Sequence, residues 1–265
     1  MSIYHGGVME VKKLLYVTDI EKPDFSEVEQ FLVLRKLGLD EILFLCPSRP
    51  EDWERRLSDY GLKSRILKWE GSLLPGILDA MQKEKISIMA VSLGKESRRV
   101  FGISKLKKML RSSYVPVIVL HGDNRISGHI ENGIFNHCVI ATDWSPVSET
   151  AMNYLLNFRE IIKVLEVVYV VNKRLSVRDM RSLKQRLVET RKIFLDKGID
   201  VETHVYAGKP ADEIMLAAKD YGATSIIMGT SGRSLLKDFF SRSCSYQIAE
   251  EATMPAFFIP FAGGR

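Results

Sequence analysis

Short, unbroken apolar runs return along the chain at near-regular intervals. KKLLYVTDI at 12–20, DEILFLCP at 40–47, ISIMAVSLG at 86–94 and VPVIVLHG at 115–122 each contain such a run, and KSRILKW at 63–69 is a shorter strand candidate. Apolar runs without alternation are what strands buried on both faces display. Helix signals separate them. Asp24 and Ser26, with Glu27 and Glu29, mark a helix start after the first run, and SLLPGILDAMQKE follows the third. Strands alternating with helices of about ten or more residues predict right-handed crossovers and a parallel sheet covered on both faces.

The pattern then repeats. HCVIATDW at 137–144 matches KKLLYVTDI, each an apolar run closed by Thr-Asp, and Ser145-Pro146 supplies the helix start, Ser as cap and Pro in the first turn. A helix of about four turns is expected after each copy. VLEVVYVVN at 164–172, DVETHVYAG at 200–208, ATSIIMGTSG at 223–232 and MPAFFIP at 254–260 complete the second set, with KPADEIMLAAKDYG as a helix between them. The fold expected is two tandem α/β sandwiches, each an open five-stranded parallel sheet with helices on both faces. Residues 1–124 form the first domain and 137–265 the second, joined by a polar, glycine-bearing linker at 125–136.

Composition agrees with folded domains: 46% of residues are hydrophobic and 27% charged, so neither disorder nor a membrane protein is indicated. The longest apolar segment, IIKVLEVVYVV, is interrupted by Lys163 and Glu166 and is too short to span a bilayer, and the first residues lack the apolar middle of a secretory signal. No membrane association is expected, and a cytoplasmic location follows by default. Cys46, Cys138 and Cys244 are scattered and have no metal-ligand spacing; they are expected to be reduced and to pack as small hydrophobes. The formal charge of +5 favours anionic partners without marking a nucleic-acid binder. The most basic stretch, KESRRVFGISKLKKMLR at 95–111, reads as an amphipathic helix burying Val100, Ile103, Leu106 and Leu110. Aromatic residues for base stacking are not interleaved with its charges, so no nucleic-acid partner is expected.

In an open parallel sheet, ligands sit beyond the carboxyl ends of the strands where strand order reverses. In the second half these ends are Ala141-Thr142-Asp143, Val170-Val171-Asn172 and Met228-Gly229-Thr230-Ser231-Gly232. A carboxylate there can accept hydrogen bonds from a ribose, and glycines let backbone N–H groups approach phosphate oxygens. Each residue also has a plainer role. Asp143 can stabilise the turn or the first helical turn, the glycines can serve the strand-to-helix turn alone, and Ser243 and Ser245 can start the helix through Gln247 and Glu250. The convergence of strand ends, more than any one residue, describes a nucleotide site.

Three stretches, ATDWSPVSETAMNYLL (141–156), GKPADEIMLAAKDYGATSIIMGTSGRS (208–234) and SRSCSYQIAEEATMPAFFIP (241–260), resemble the universal stress proteins in their tandem two-domain form, with the adenine nucleotide alpha hydrolase-like fold. The resemblance covers nearly the whole chain. In nucleotide-binding members the pattern G-2x-G-9x-G-[S/T] wraps the phosphates, while the first-strand Asp and the end of the second strand hold the adenosine. Carried over, it implicates Ala141, Thr142, Asp143, Val170, Met228, Gly229, Gly232, Ser243 and Cys244 in binding AMP, ADP or ATP, with Mg²⁺ accompanying ATP. Arg242 stands where the family has its third glycine. Its guanidinium would either block a triphosphate or fork onto an α-phosphate and favour a shorter nucleotide.

The first half departs further from that pattern. Gly94 is kept, but Ser97 replaces the second glycine, Lys107-Lys108 fall where Gly-Ser would be, and the turn-to-proline stretch is shorter, Gly94 to Pro116 against Gly229 to Pro255. A degenerate first site is expected despite Asp19, with the halves packed as a pseudo-dimer, last strand beside last strand. A homodimer and an unidentified protein partner fit the same reading. No motif joins a nucleophile, a base and an orienting group. His5, His121, His129, His137 and His204 read as loop or exposed residues, so catalysis beyond slow ATP hydrolysis is not expected. The rival reading is a nucleotide-free scaffold in which both sites have decayed.

Overall fold

The structure is a computed structural model, and it describes residues 10–18, 23–46, 52–68, 73–93, 97–121, 133–231 and 242–261. The apolar runs become strands at the expected places. In the first half these are β1 (Lys13–Thr18), β2 (Glu41–Leu45), β3 (Lys63–Ile66), β4 (Ile88–Leu93) and β5 (Val117–His121). In the second half they are β6 (His137–Ala141), β7 (Val164–Val171), β8 (Asp200–Ala207), β9 (Ser225–Thr230) and β10 (Ala256–Pro260). The helices are α1 (Phe25–Glu29), α2 (Trp53–Asp59), α3 (Leu73–Lys83), α4 (Ser97–Ser112), α5 (Pro146–Leu155), α6 (Val177–Leu195), α7 (Pro210–Asp220) and α8 (Arg242–Glu251).

All ten strands lie in one sheet, in the order β3-β2-β1-β4-β5-β10-β9-β6-β7-β8. Each half therefore has its first strand in the middle, the second and third to one side, the fourth and fifth to the other. Within each half the pairs are parallel. The last strands meet side by side and antiparallel, Ala256 opposite Val119 and Phe258 opposite Val117, so two sheet edges that would otherwise be open are closed against each other. Each half has its reversal of strand order at its first strand, between β1 and β4 and between β6 and β9.

Two apolar layers cover the sheet. One packs α5 and the aromatic cluster of Phe135, Tyr154, Phe158 and Phe257, whose ring centroids lie 5.2–6.0 Å apart. The other packs α3, α4, α7 and α8 through Met81, Leu110, Ile214 and Ile248. Leu106 and Leu110 of α4 are buried as expected; the side chains of Val100 and Ile103 lie outside the described residues. The two layers account for the unbroken apolar runs, since both faces of nearly every strand meet side chains.

Three sequence expectations change. The four-turn helix after β1 is not there: α1 begins as expected, with Asp24 Oδ1 accepting from Ser26 N–H at 3.0 Å, but spans five residues, and a 3-10 helix at Leu32–Leu37 follows, ending at Gly38 with φ 99°. The tighter spiral brings the chain to a left-handed stop that suits glycine. The helices α2 and α6, between second and third strands, had no counterpart in the reading of the sequence. The end of the 125–136 segment is also no solvated connector. Ile134 and Phe135 are fully buried in a 3-10 turn, and at Gly133 a Cβ would lie 2.5 Å from the Gln30 carbonyl oxygen, so this entry to the second half is wedged against the first.

Candidate functional site

At the end of β6 the chain turns through Thr142, Asp143 and Trp144 into Ser145, the N-cap of α5. Thr142 is fully buried and its N–H donates to the Val168 carbonyl at 3.0 Å, extending the β6–β7 ladder by one residue. Asp143 Oδ1 accepts from Ser145 N–H at 3.0 Å and from Ser148 Oγ at 2.8 Å, while Trp144 N–H donates to Thr142 Oγ1 at 3.1 Å. Trp144 has φ 53°, a left-handed conformation uncommon for a bulky residue. Its indole Nε1 donates to Thr190 Oγ1 on α6 at 3.0 Å and its ring packs 5.0 Å from that of Tyr169, so tertiary contacts hold the turn that local preference would not.

Of the about four lone-pair positions a carboxylate offers, two at Oδ1 accept the donors of the turn. Ser148, which locks that oxygen, was not among the expected site residues; its only sequence signal is the Ser145-x-x-Ser148 spacing at a helix start.

The other strand-end residues are largely buried. Ala141, Val170, Met228 and Cys244 belong to one buried cluster on the α7–α8 side of the sheet. Burial pushes the Cys244 thiol up to about 12, with further upward contributions from the charges of Asp143 and Asp212. The first turn of α8 therefore lies within electrostatic reach of the end of β6. Tyr169 is likewise raised, by burial first and then by Asp143. Beside Asp143 a hollow of about 320 Å³ is walled by Trp144, Tyr169, Lys173, Leu183 and Arg186. Arg242 opens α8 and Ser243 is exposed in its first turn; Gly232 and the side chain of Arg242 lie outside the described residues, as does Asp19 of the first half.

Gly229 has a packing reason of its own. A Cβ there would stand 2.4 Å from the Val147 carbonyl oxygen and 2.8 Å from the Val147 carbonyl carbon, so α5 rests directly on the backbone of β9.

Two histidines depart from the expectation of loop residues. His137 begins β6 and His204 lies within β8, and both bond the buried Glu166 of β7, His137 Nε2 to Oε1 at 2.9 Å and His204 Nε2 to Oε2 at 2.7 Å. Tyr221 OH meets His204 Nδ1 at 3.0 Å. This cluster ties three strands together on the side chains of their amino-terminal and middle portions, away from the β6 carboxyl end. Among the described residues no group of three or more His, Cys, Asp or Glu side chains is arranged to hold a metal ion, and no helix is long and apolar enough to cross a membrane.

A family model described as the universal stress protein family matches residues 135–260, the half that carries this turn. Among curated proteins, the universal stress protein YxiE of Bacillus subtilis is 34% identical over 64 residues, covering 24% of this chain and 43% of YxiE. Universal stress protein MJ0531 of Methanocaldococcus jannaschii is 24% identical over 176 residues, covering 61% of this chain and 96% of its own length. The crystal structure of a universal stress protein from Archaeoglobus fulgidus superposes with a TM-score of 0.69 at 20% identity, over 95% of this chain and 97% of that one, a likeness of fold through both halves. The family model thus covers residues 135–260, just under half of the chain, so the second half is similar to the universal stress protein family, and the same strand order runs through the first half.

Proposed function

We propose that this protein is a stress-associated regulator that binds one adenine nucleotide in its second half, beyond the carboxyl ends of β6, β7 and β9. The observation that carries the reading is the Asp143 turn. At the reversal of strand order, a carboxylate is held by Ser145 and Ser148 within electrostatic reach of Cys244 in the first turn of α8. In this arrangement Asp143 accepts from the ribose hydroxyls, and backbone groups of Thr142 and Val170 meet the base. The amino end of α8, with Ser243 and the N–H of Cys244, faces the phosphates, where its dipole favours negative charge. Met228 and Gly229 form the floor beneath them, Gly232 belongs to the same phosphate-binding set, and Ala141 closes the buried side.

Arg242 selects for AMP or ADP over ATP by forking onto the α-phosphate; Mg²⁺ accompanies whatever ATP binds. An Arg242→Gly variant that bound AMP more tightly than the parent would reverse that assignment. The first half holds no nucleotide. Its Lys107 and Lys108 lie deep within α4 and not at a helix start. Residues 1–124 and 137–265 are the two units, and a cytoplasmic location belongs to the same reading.

Two observations favour the rival scaffold reading: packing on Val147 accounts for Gly229, and the Asx turn accounts for Asp143, with no ligand required. Calorimetric titration of nucleotide-free protein with AMP and ATP separates the two. Near-unit stoichiometry that disappears in Asp143→Ala supports the nucleotide site; no heat with either nucleotide supports the scaffold.

A further inference from the structure

The basic stretch noted in the sequence does not simply face solvent. Ser104, Lys107, Lys108 and Arg111 recur at i, i+3, i+4 and i+7 along α4 and so share one helix face. With Tyr246 of α8 they line a depression of about 480 Å³ at the seam between the two halves. Lys107 Nζ lies 5.7 Å from the centroid of the Tyr246 ring, within cation–π range. The two residues sit at corresponding places in the repeat, each nine residues before the proline that precedes its half's last strand, Pro116 or Pro255. The depression therefore lies where the two copies meet.

Its chemistry is one-sided. Three cations and two hydroxyls line it, with no carboxylate among the lining residues. Among the described residues no acidic side chain forms an ion pair with Lys107, Lys108 or Arg111, although other lysines and arginines of the chain are paired: Lys13 and Arg65 share Glu41, Arg56 bonds Glu29, and Arg191 bonds Glu202. Lys107 and Arg111, four apart on a helix, repel each other. An arrangement that concentrates like charge, supplies hydroxyl donors and, among the described residues, has no counter-charge is complementary to a multiply charged anion.

We propose that this seam depression is a binding site for a small anion carrying two or more phosphoryl groups. Lys107, Lys108 and Arg111 supply charge, and Ser104 and Tyr246 donate hydrogen bonds. Tyr246 is one helical turn from Ser243, so an anion held there touches the same helix whose amino end faces the nucleotide in the reading above. The seam site itself rests on its own residues and stands whether or not that nucleotide binds.

The test uses inorganic tripolyphosphate as probe, titrated calorimetrically at low ionic strength into the full chain. Three variants are compared: Lys107→Gln/Lys108→Gln/Arg111→Gln, Asp143→Ala, and a control that removes three exposed charges from α6, Arg178→Gln/Arg181→Gln/Lys184→Gln. Glutamine preserves helix propensity, and circular dichroism verifies the fold. Binding near one per chain, weakened about tenfold or more in the α4 variant and within about twofold of the parent in the other two, is the expected result. No binding, loss in Asp143→Ala, or equal weakening by the α6 control would overturn the proposal. Parallel arms with phosphoinositide-containing vesicles and a single-stranded oligonucleotide separate the sources of phosphate. A clear preference for either over tripolyphosphate would also overturn it, in favour of a membrane or nucleic-acid surface.

Discussion

Replacing Gly229 with alanine separates packing from ligand binding at one position. The added Cβ would lie 2.4 Å from the Val147 carbonyl oxygen and 2.8 Å from its carbonyl carbon, whereas real Cβ contacts essentially never fall below 3.0 Å. Both partners in the clash are backbone, so no rotamer change relieves it. The first turn of α5 must move off β9 by about 0.6 Å merely to reach 3.0 Å. Overpacking of this kind costs about 1–3 kcal/mol, and backbone against backbone belongs in the upper part of that range, about 2–3 kcal/mol. At about 2–4 °C per kcal/mol for a chain of this size, nucleotide-free Gly229→Ala should melt roughly 4–12 °C below the parent. Gly198→Ala is the control: that glycine has φ 81° with nothing within 4 Å of its would-be Cβ, so only the left-handed backbone cost of about 1 kcal/mol applies. Differential scanning calorimetry on both variants decides the matter. If Gly229→Ala melted with the parent while losing nucleotide affinity, the contact with α5 would be the wrong account of this glycine.

Further outcomes follow from the buried polar groups. Glu166→Gln replaces a carboxylate that meets His137 and His204 through its two oxygens; losing one charge-assisted bond should lower unfolding free energy by about 1.5–3 kcal/mol in urea titrations, and an unchanged midpoint would refute the role of that bond. Ser148→Ala removes the 2.8 Å bond to Asp143 Oδ1 and should cost about 1 kcal/mol of stability while weakening nucleotide binding; unaltered affinity would mean that Ser148 does not position Asp143. Burial pushes the thiols up, Cys46 to about 11 and Cys138 and Cys244 to about 12. The folded chain thus holds these protons more tightly than the unfolded chain, whose thiols titrate near 8.5; the associated stability is complete below that pH and is lost as pH rises toward 11–12. At pH 8 iodoacetamide should label none of the three in native protein and all three in urea, read by mass spectrometry. Native labelling of Cys244 would contradict its burial in the first turn of α8.

Much of the fold was legible because a doubly covered parallel sheet writes itself as unbroken apolar runs. LLYV, ILFL and VIVL could be read as strands without knowing their neighbours, and Ser145-Pro146 announced α5 by cap chemistry alone. Local signals failed where tertiary contacts decide. Nothing near Gln30 in sequence announces that Gly133 will pack against it, and Trp144 adopts a left-handed backbone because Thr190, forty-six residues on, receives its indole N–H. The histidines misread as loop residues are explained in the same way. The carboxylate that orders them, Glu166, sits in the middle of an apolar run, and its partners come from the two neighbouring strands. At the site, topology singled out the strand ends, whereas the contact that makes Gly229 carry α5 comes from Val147, far away in sequence.

The most direct test of the central claim is a crystal structure of the full chain grown with AMP. The account predicts one nucleotide per chain, with its ribose on Asp143 and its phosphate at the start of α8, and none beyond β1 and β4. A nucleotide seated in the first half, or only at the Lys107–Tyr246 seam, would contradict it.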